Sequence, residues 1–230
     1  GVYKYPFADD AYFMFPWVYE QWPHSPHPND GVVNAQFAAS RDGWNWMRYD
    51  RQVFIPHGEE GEFDYGCAEP LGPFFRDGDA LYQYYSGWQW THGGGRFRPH
   101  DPAADDPASW NWRQYRLNKY RLDGFVSADA PPEGGQLCTP PLFFEGDHLE
   151  LNIQLTDAGR ARVALLDVDG QPLPGYTLED CNPIGGDAVT LVVKWQDKAE
   201  IAALANRPVR LQFDLSNAKL YAFQFLHGIA

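Results

Sequence analysis

The chain has 230 residues, with 18 Lys and Arg against 31 Asp and Glu, a formal net charge of −13. That charge repels phosphate backbones and anionic membrane surfaces, so nucleic-acid and membrane partners are set aside and neutral or basic ligands fit better. An aromatic content of 16 %, with nine Trp and thirteen Tyr, supplies flat amphipathic rings that suit stacking on sugars as well as core packing.

Taken in chain order, short β-branched or aromatic runs alternate with Gly, Pro, Asn and Asp clusters, which predicts an all-β chain. The expected strands of the first part are Val2–Tyr5, Ala11–Phe15, Val32–Ser40, Trp46–Tyr49, Leu71–Phe75, Ala80–Ser86 and Gln114–Leu122. Turns are expected at Ala8-Asp9-Asp10, Arg41-Asp42-Gly43 and Arg76-Asp77-Gly78-Asp79, because Asp-Gly pairs supply the positive φ of tight hairpins. "FAASRDGWNWMRYDRQVFIP" and "FFRDGDALYQYYSGW" both read as a strand, an Asp-Gly turn and a returning aromatic strand. Such an approximate recurrence is how β-propeller blades look in sequence. From Thr91 to Ser109 the apolar pattern gives way to Gly, Pro and charge, as in a long exposed loop.

A domain boundary is expected near Ser127–Gln136, "SADAPPEGGQ", dividing a segment 1–128 from a segment 129–230. Eight of the nine Trp lie before it and only Trp195 after. Beyond it, strands are expected at Leu142–Phe144, His148–Gln154, Arg162–Leu166, Ala188–Trp195, Val209–Leu215 and Leu220–Phe225, with Asp169-Gly170 as a hairpin turn. Their alternation of apolar and polar residues predicts an antiparallel β-sandwich with wet outer faces. The one helix candidate is Lys198–Ala205, closed by Asn206 before Pro208.

Two carboxylates stand out by their surroundings. Glu69 sits between Ala68 and Pro70, where the neighbours imply burial, and Asp64 lies five residues earlier. Trp88 and Trp90, just past the Tyr84-Tyr85 strand, are placed to stack on a sugar face, whereas core packing is the first expectation for Tyr85. His92, beside three glycines, either bonds a ligand or is solvated. Arg41 and Asp42 read first as a hairpin turn with a local ion pair and second as substrate contacts. The histidines have no ligand-like spacing, so no metal site is expected. A structural calcium ion held by Glu145, Asp147 and Asp180 is the one cofactor left open, since Asp167-Val168-Asp169-Gly170 is explained as a turn. Cys67, Cys138 and Cys181 form no C-x-x-C pair, and an odd total cannot pair completely.

The runs Ser40–Trp46, "SRDGWNW", Glu69–Gly87, a Glu-Pro leading to Y-Y-S-G, and Arg121–Ala130, "RLDGFVSADA", together with "TPPLFFEGDHLELN" and "LPGYTLEDCNPIGGD", resemble the bacterial propeller-plus-sandwich proteins related to glycoside hydrolase families 32 and 43. The resemblance implies a propeller whose central channel holds carboxylates from different blades. One protonates the leaving glycosidic oxygen, and another activates water or attacks carbon. It places Glu69 as the general acid and lets Asp64 tune it or hold a sugar hydroxyl.

Only about two blades of ~45 residues fit before the sandwich. The resemblance therefore implies a C-terminal part of a longer enzyme, a site completed by self-association, or a chain no longer catalytic. The competing reading is a non-catalytic carbohydrate-binding or assembly module. Carbohydrate is the expected partner in either case. No signal peptide opens the chain, and Gly1 in place of an initiator methionine leaves open a lost leader and a secreted or periplasmic location.

Overall fold

The computed structural model describes residues 1–25, 29–93 and 113–228. The chain is all-β and divides into two compact units, Gly1–Tyr120 and Arg121–Ala230. Beyond Gly93, the expected long loop lies outside the described residues. Among the described residues, no helix is long and apolar enough to cross a membrane.

The first unit carries two sheets, one of three strands and one of five. Strands β1 (Val2–Lys4), β2 (Tyr12–Met14) and β5 (Ala38–Ser40) form an antiparallel sheet in the order β1-β2-β5. Strands β3 (Trp17–Gln21), β4 (Gly31–Ala35), β6 (Cys67–Asp77), β7 (Ala80–Trp88) and β8 (Arg113–Arg121) form the other, in that order. In this sheet β4 and β6 pair in parallel, at Val33 and Cys67. The expected strand Val32–Ser40 is split, because the chain crosses from one sheet to the other at Gln36 and Phe37. The expected strand Trp46–Tyr49 is reduced to a single bridge between Ala39 and Met47. Asp42 explains the loss: its carboxylate accepts from the backbone N–H groups of Trp44 and Asn45, both at 2.8 Å, and so holds the returning chain in a turn.

Between the sheets lies an aromatic core, with Tyr5 and Phe13 stacked at 4.6 Å and Phe13, Phe15 and Tyr5 each set against Phe74 at 6.0–6.2 Å. Phe54 stacks on Tyr120 of β8 at 5.3 Å, which ties the far strand to the same core.

In the second unit, β9 (Ala128–Ala130), β10 (Gly135–Cys138), β11 (His148–Leu166), β12 (Asp187–Val192) and β13 (Arg210–Leu226) form one antiparallel sheet around a single hydrophobic core. The order is β10-β13-β11-β12, with β9 on another stretch of β13. The expected strand pairs His148–Gln154 with Arg162–Leu166, and Val209–Leu215 with Leu220–Phe225, are each one long strand. Register jumps between Leu155 and Arg160, where residues 156–159 face only Asn217 on the partner strand. That corner bends both strands, so Leu149, Ile153, Val163 and Leu165 on β11 and Val209, Phe213 and Leu220 on β13 all line one core. Trp195 is fully buried and donates from Nε1 to the Val163 carbonyl at 2.8 Å.

The helix expected over Lys198–Ala205 is replaced by a single 3-10 turn, Ala202–Leu204. Lys198 instead bonds back to Trp195 in both directions, at 2.8 and 2.9 Å. Burying Ile201 and Leu204 in the core outweighs the weak helix propensity of eight residues.

Candidate functional site

Glu69 lies on β6 opposite Ser86 of β7, so the two side chains share a face of the sheet. Glu69 is buried at 8 % exposure, and the Ser86 hydroxyl donates to its Oε2 at 3.2 Å. From β8, Arg113 Nη2 donates to the same Oε2 at 3.2 Å and to Ser86 Oγ at 3.1 Å. The guanidinium lies 4.8 Å from the centre of the Trp88 ring and 5.9 Å from that of Tyr115. Trp88 pairs with Cys67 across the hairpin, which puts it on the Glu69 face. Four expected or unexpected side chains from three strands thus converge: Glu69, Ser86, Trp88 and Arg113. Burial raises the Cys67 thiol to about 11, with the Glu69 charge adding to it, so Cys67 stays a protonated, inert neighbour.

Asp64 and Tyr85 stand on the other face. Tyr85 is next to Ser86 in the strand and points the opposite way, where it packs with Ile55, Ala68 and Phe63. Its hydroxyl donates to Asp64 Oδ2 at 3.1 Å, and both residues are buried. Burial first, and then the Asp64 carboxylate, push the Tyr85 hydroxyl up to about 12. Gly87 makes room for this pair: a Cβ there would come within 2.5 Å of the Phe63 ring and 2.6 Å of the Asp64 Cβ.

The remaining expected site residues are spread out. His92 is exposed, with its ring 5.0 Å from that of Tyr19 and Nδ1 3.2 Å from the Asn29 carbonyl. The Trp90 backbone passes so close to Gly66 that a Cβ on the glycine would meet the Trp90 carbonyl at 1.9 Å. Arg41 forms an exposed ion pair with Asp10 at 2.9 Å. Asp42 is held well below the usual carboxylate range, first by the Asn45 backbone and side-chain N–H groups and then by Trp44 and Ser40. Both serve the turn after β5.

Among the described residues, no group of three His, Cys, Asp or Glu is placed to hold a metal ion. Asp147 accepts from His148 at 2.8 Å and from the Gly228 N–H at 2.8 Å, while Asp180 accepts from Thr177 and Gln196. All three cysteines are free thiols.

Arg113 and Ser86 are the site residues that sequence reasoning missed. Ser86 lay in the quoted Y-Y-S-G run, and its position opposite Glu69 follows from counting back along the hairpin from Asp77-Gly78, corrected for the register shift between Leu71 and Phe75. Arg113 carries no local signal, because it arrives from a separate strand.

No protein-family profile and no curated protein matches the chain. Among solved structures, the chain is similar to a glycoside hydrolase family 43 arabinoxylan arabinofuranohydrolase from Bacillus subtilis, determined in complex with cellotetraose. The identity is 13 %, the TM-score is 0.29, and the match covers 98 % of this chain and 53 % of that one. The chain therefore spans about half the length of that enzyme.

Proposed function

We propose that the chain is a glycoside hydrolase, or the part of one that carries a catalytic carboxyl, with Glu69 as the general acid. The observation that supports this reading is the convergence on one face of a buried, tightly held carboxyl, a Trp ring and two donor side chains. A general acid must be fixed within reach of the leaving oxygen, and an aromatic ring beside it stacks on the C–H face of a sugar. Asp64 is turned away from Glu69, so in this reading it supports Tyr85 from behind and the second carboxylate comes from another element. Trp90 and His92 would contact the ligand further out.

Glu69→Gln in the full chain tests the assignment. Hydrolysis across a panel of chromogenic glycosides is expected to fall by about a hundredfold or more. Retained hydrolysis with an unchanged pH profile excludes the general-acid role, because an amide has no proton to give at working pH. A second reading, a non-catalytic carbohydrate-binding module, is favoured by the two donors on Glu69 Oε2, the pattern of an acceptor being held in place. It is supported if wild-type chain binds glycans without turnover.

A further inference from the structure

Resting on that reading of Glu69, the geometry points to a carboxylated sugar, a uronic acid, as the ligand of this site, with Arg113 as the residue that selects it. Arg113 spends one nitrogen, Nη2, on both Glu69 and Ser86. A guanidinium offers five N–H donors in a planar fork. Among the described residues, Nε and Nη1 have no hydrogen-bond partner, and the side chain is 37 % exposed. The Trp88 ring at 4.8 Å orients the fork. Nε–H and Nη1–H lie on opposite edges of the guanidinium, so each offers its own charge-assisted hydrogen bond to a ligand carboxylate.

The rings of Trp88 and Tyr115 flank this fork, and Tyr115 is 60 % exposed, so the sugar carrying the carboxylate has an apolar surface to lie on. The net charge of −13 does not forbid an anion here. Screening confines exposed charges to about 8–10 Å at physiological salt, so the acidic residues elsewhere in the chain act weakly at Arg113, whose nearest charge is Glu69. Binding also changes the site. A ligand carboxylate there competes with Glu69 for the same guanidinium, so occupancy of the site and the Glu69 contact are coupled.

The test uses matched pairs of chromogenic glycosides, each a uronide and its neutral hexoside of the same anomeric form. Wild type is expected to favour the uronide in kcat/KM by about tenfold to a hundredfold, and Arg113→Met to bring the pair within about twofold. Arg113→Lys keeps the charge without the fork, so it is expected to retain only part of the preference. Equal rates of wild type on each pair overturn the inference, as does a preference that survives Arg113→Met. Glu69→Gln separates the two proposals. If it leaves hydrolysis intact, the general-acid reading fails, and the uronide preference of wild type against Arg113→Met alone decides this inference. If it abolishes hydrolysis while no uronide preference exists, only this inference fails. Should no pair be turned over, calorimetry with oligoglucuronate decides: binding that is lost in Arg113→Met supports Arg113 as selector, and no binding overturns it.

Discussion

Tyr85 and Asp64 illustrate how far a single hydrogen bond is committed once both partners are buried. Removing the hydroxyl with Tyr85→Phe leaves a buried carboxylate short of a donor, and the expected cost is about 1–3 kcal/mol by chemical denaturation at neutral pH. The hydroxyls of Tyr85 and Tyr120 are both raised to about 12 from 10.0, chiefly by burial. A group whose folded value is raised stabilises the fold fully below its unfolded value and loses that contribution as pH climbs to the folded one. Stability is therefore expected to fall between pH 10 and about 12, with the tyrosinate absorbance rising together with unfolding. A flat stability profile across that window would contradict the burial of these hydroxyls. At Gly87, even one methyl group meets Phe63 and Asp64. Gly87→Ala is expected to lower the melting temperature by several degrees, equivalent to about 1–3 kcal/mol.

At the scale of elements, Arg121, the first residue of the second unit, shows how one side chain ties β11 to β12. Its guanidinium donates to Asn152 at 2.6 Å, Asp187 at 2.5 Å and the carbonyls of Ile153 and Ala188 at 3.2 and 2.8 Å, and lies 4.9 Å from the centre of the Tyr221 ring. It fills the irregularity where β11 and β12 shift register between Leu151 and Ile153. Arg121→Ala is expected to destabilise the second unit by about 2–4 kcal/mol, and Arg121→Lys to recover little, because an ammonium cannot reach four acceptors spread in a plane. The bent corner offers a second check. A Cβ on Gly159 would come within 2.7 Å of the Asn217 carbonyl oxygen, which is backbone and cannot swing aside. Gly159→Val should therefore disrupt the corner and lower the unfolding midpoint of this unit, whereas the same change at Gly185, which has open space, should cost far less.

For the whole molecule, each unit encloses its own core, an aromatic cluster in one and a long aliphatic sheet interior in the other. Residues 121–230 expressed alone are expected to fold, with a cooperative melt and dispersed amide resonances; an unfolded spectrum would show that the division at Arg121 is not one of stability. Exposed large apolar side chains are concentrated in the first unit, among them Trp44 at 89 % and Tyr84 at 55 %. The rings of Tyr84 and Tyr115 lie on the same sheet face as Glu69, where the sequence shows aromatics on both faces of β7.

Local chemistry determined much of this from the sequence: the all-β class, the Asp-Gly turns, the strand cores and the burial of Glu69 all follow from side-chain period and turn residues close in the chain. The tight turn at Asp42 and the hairpin at Asp77-Gly78 needed no distant partner to be read. Tertiary structure decided the rest. A strand's period of two says that Glu69 and Tyr85 occupy alternate faces only once the pairing of Glu69 with Ser86 is known, and register is a property of two strands. The corner that fuses four expected strands into two, the loss of the helix at Lys198 to core burial, and the arrival of Arg113 beside Glu69 are likewise long-range. Such contacts depend on which segments meet after folding, and nothing in the residues flanking each one specifies that meeting.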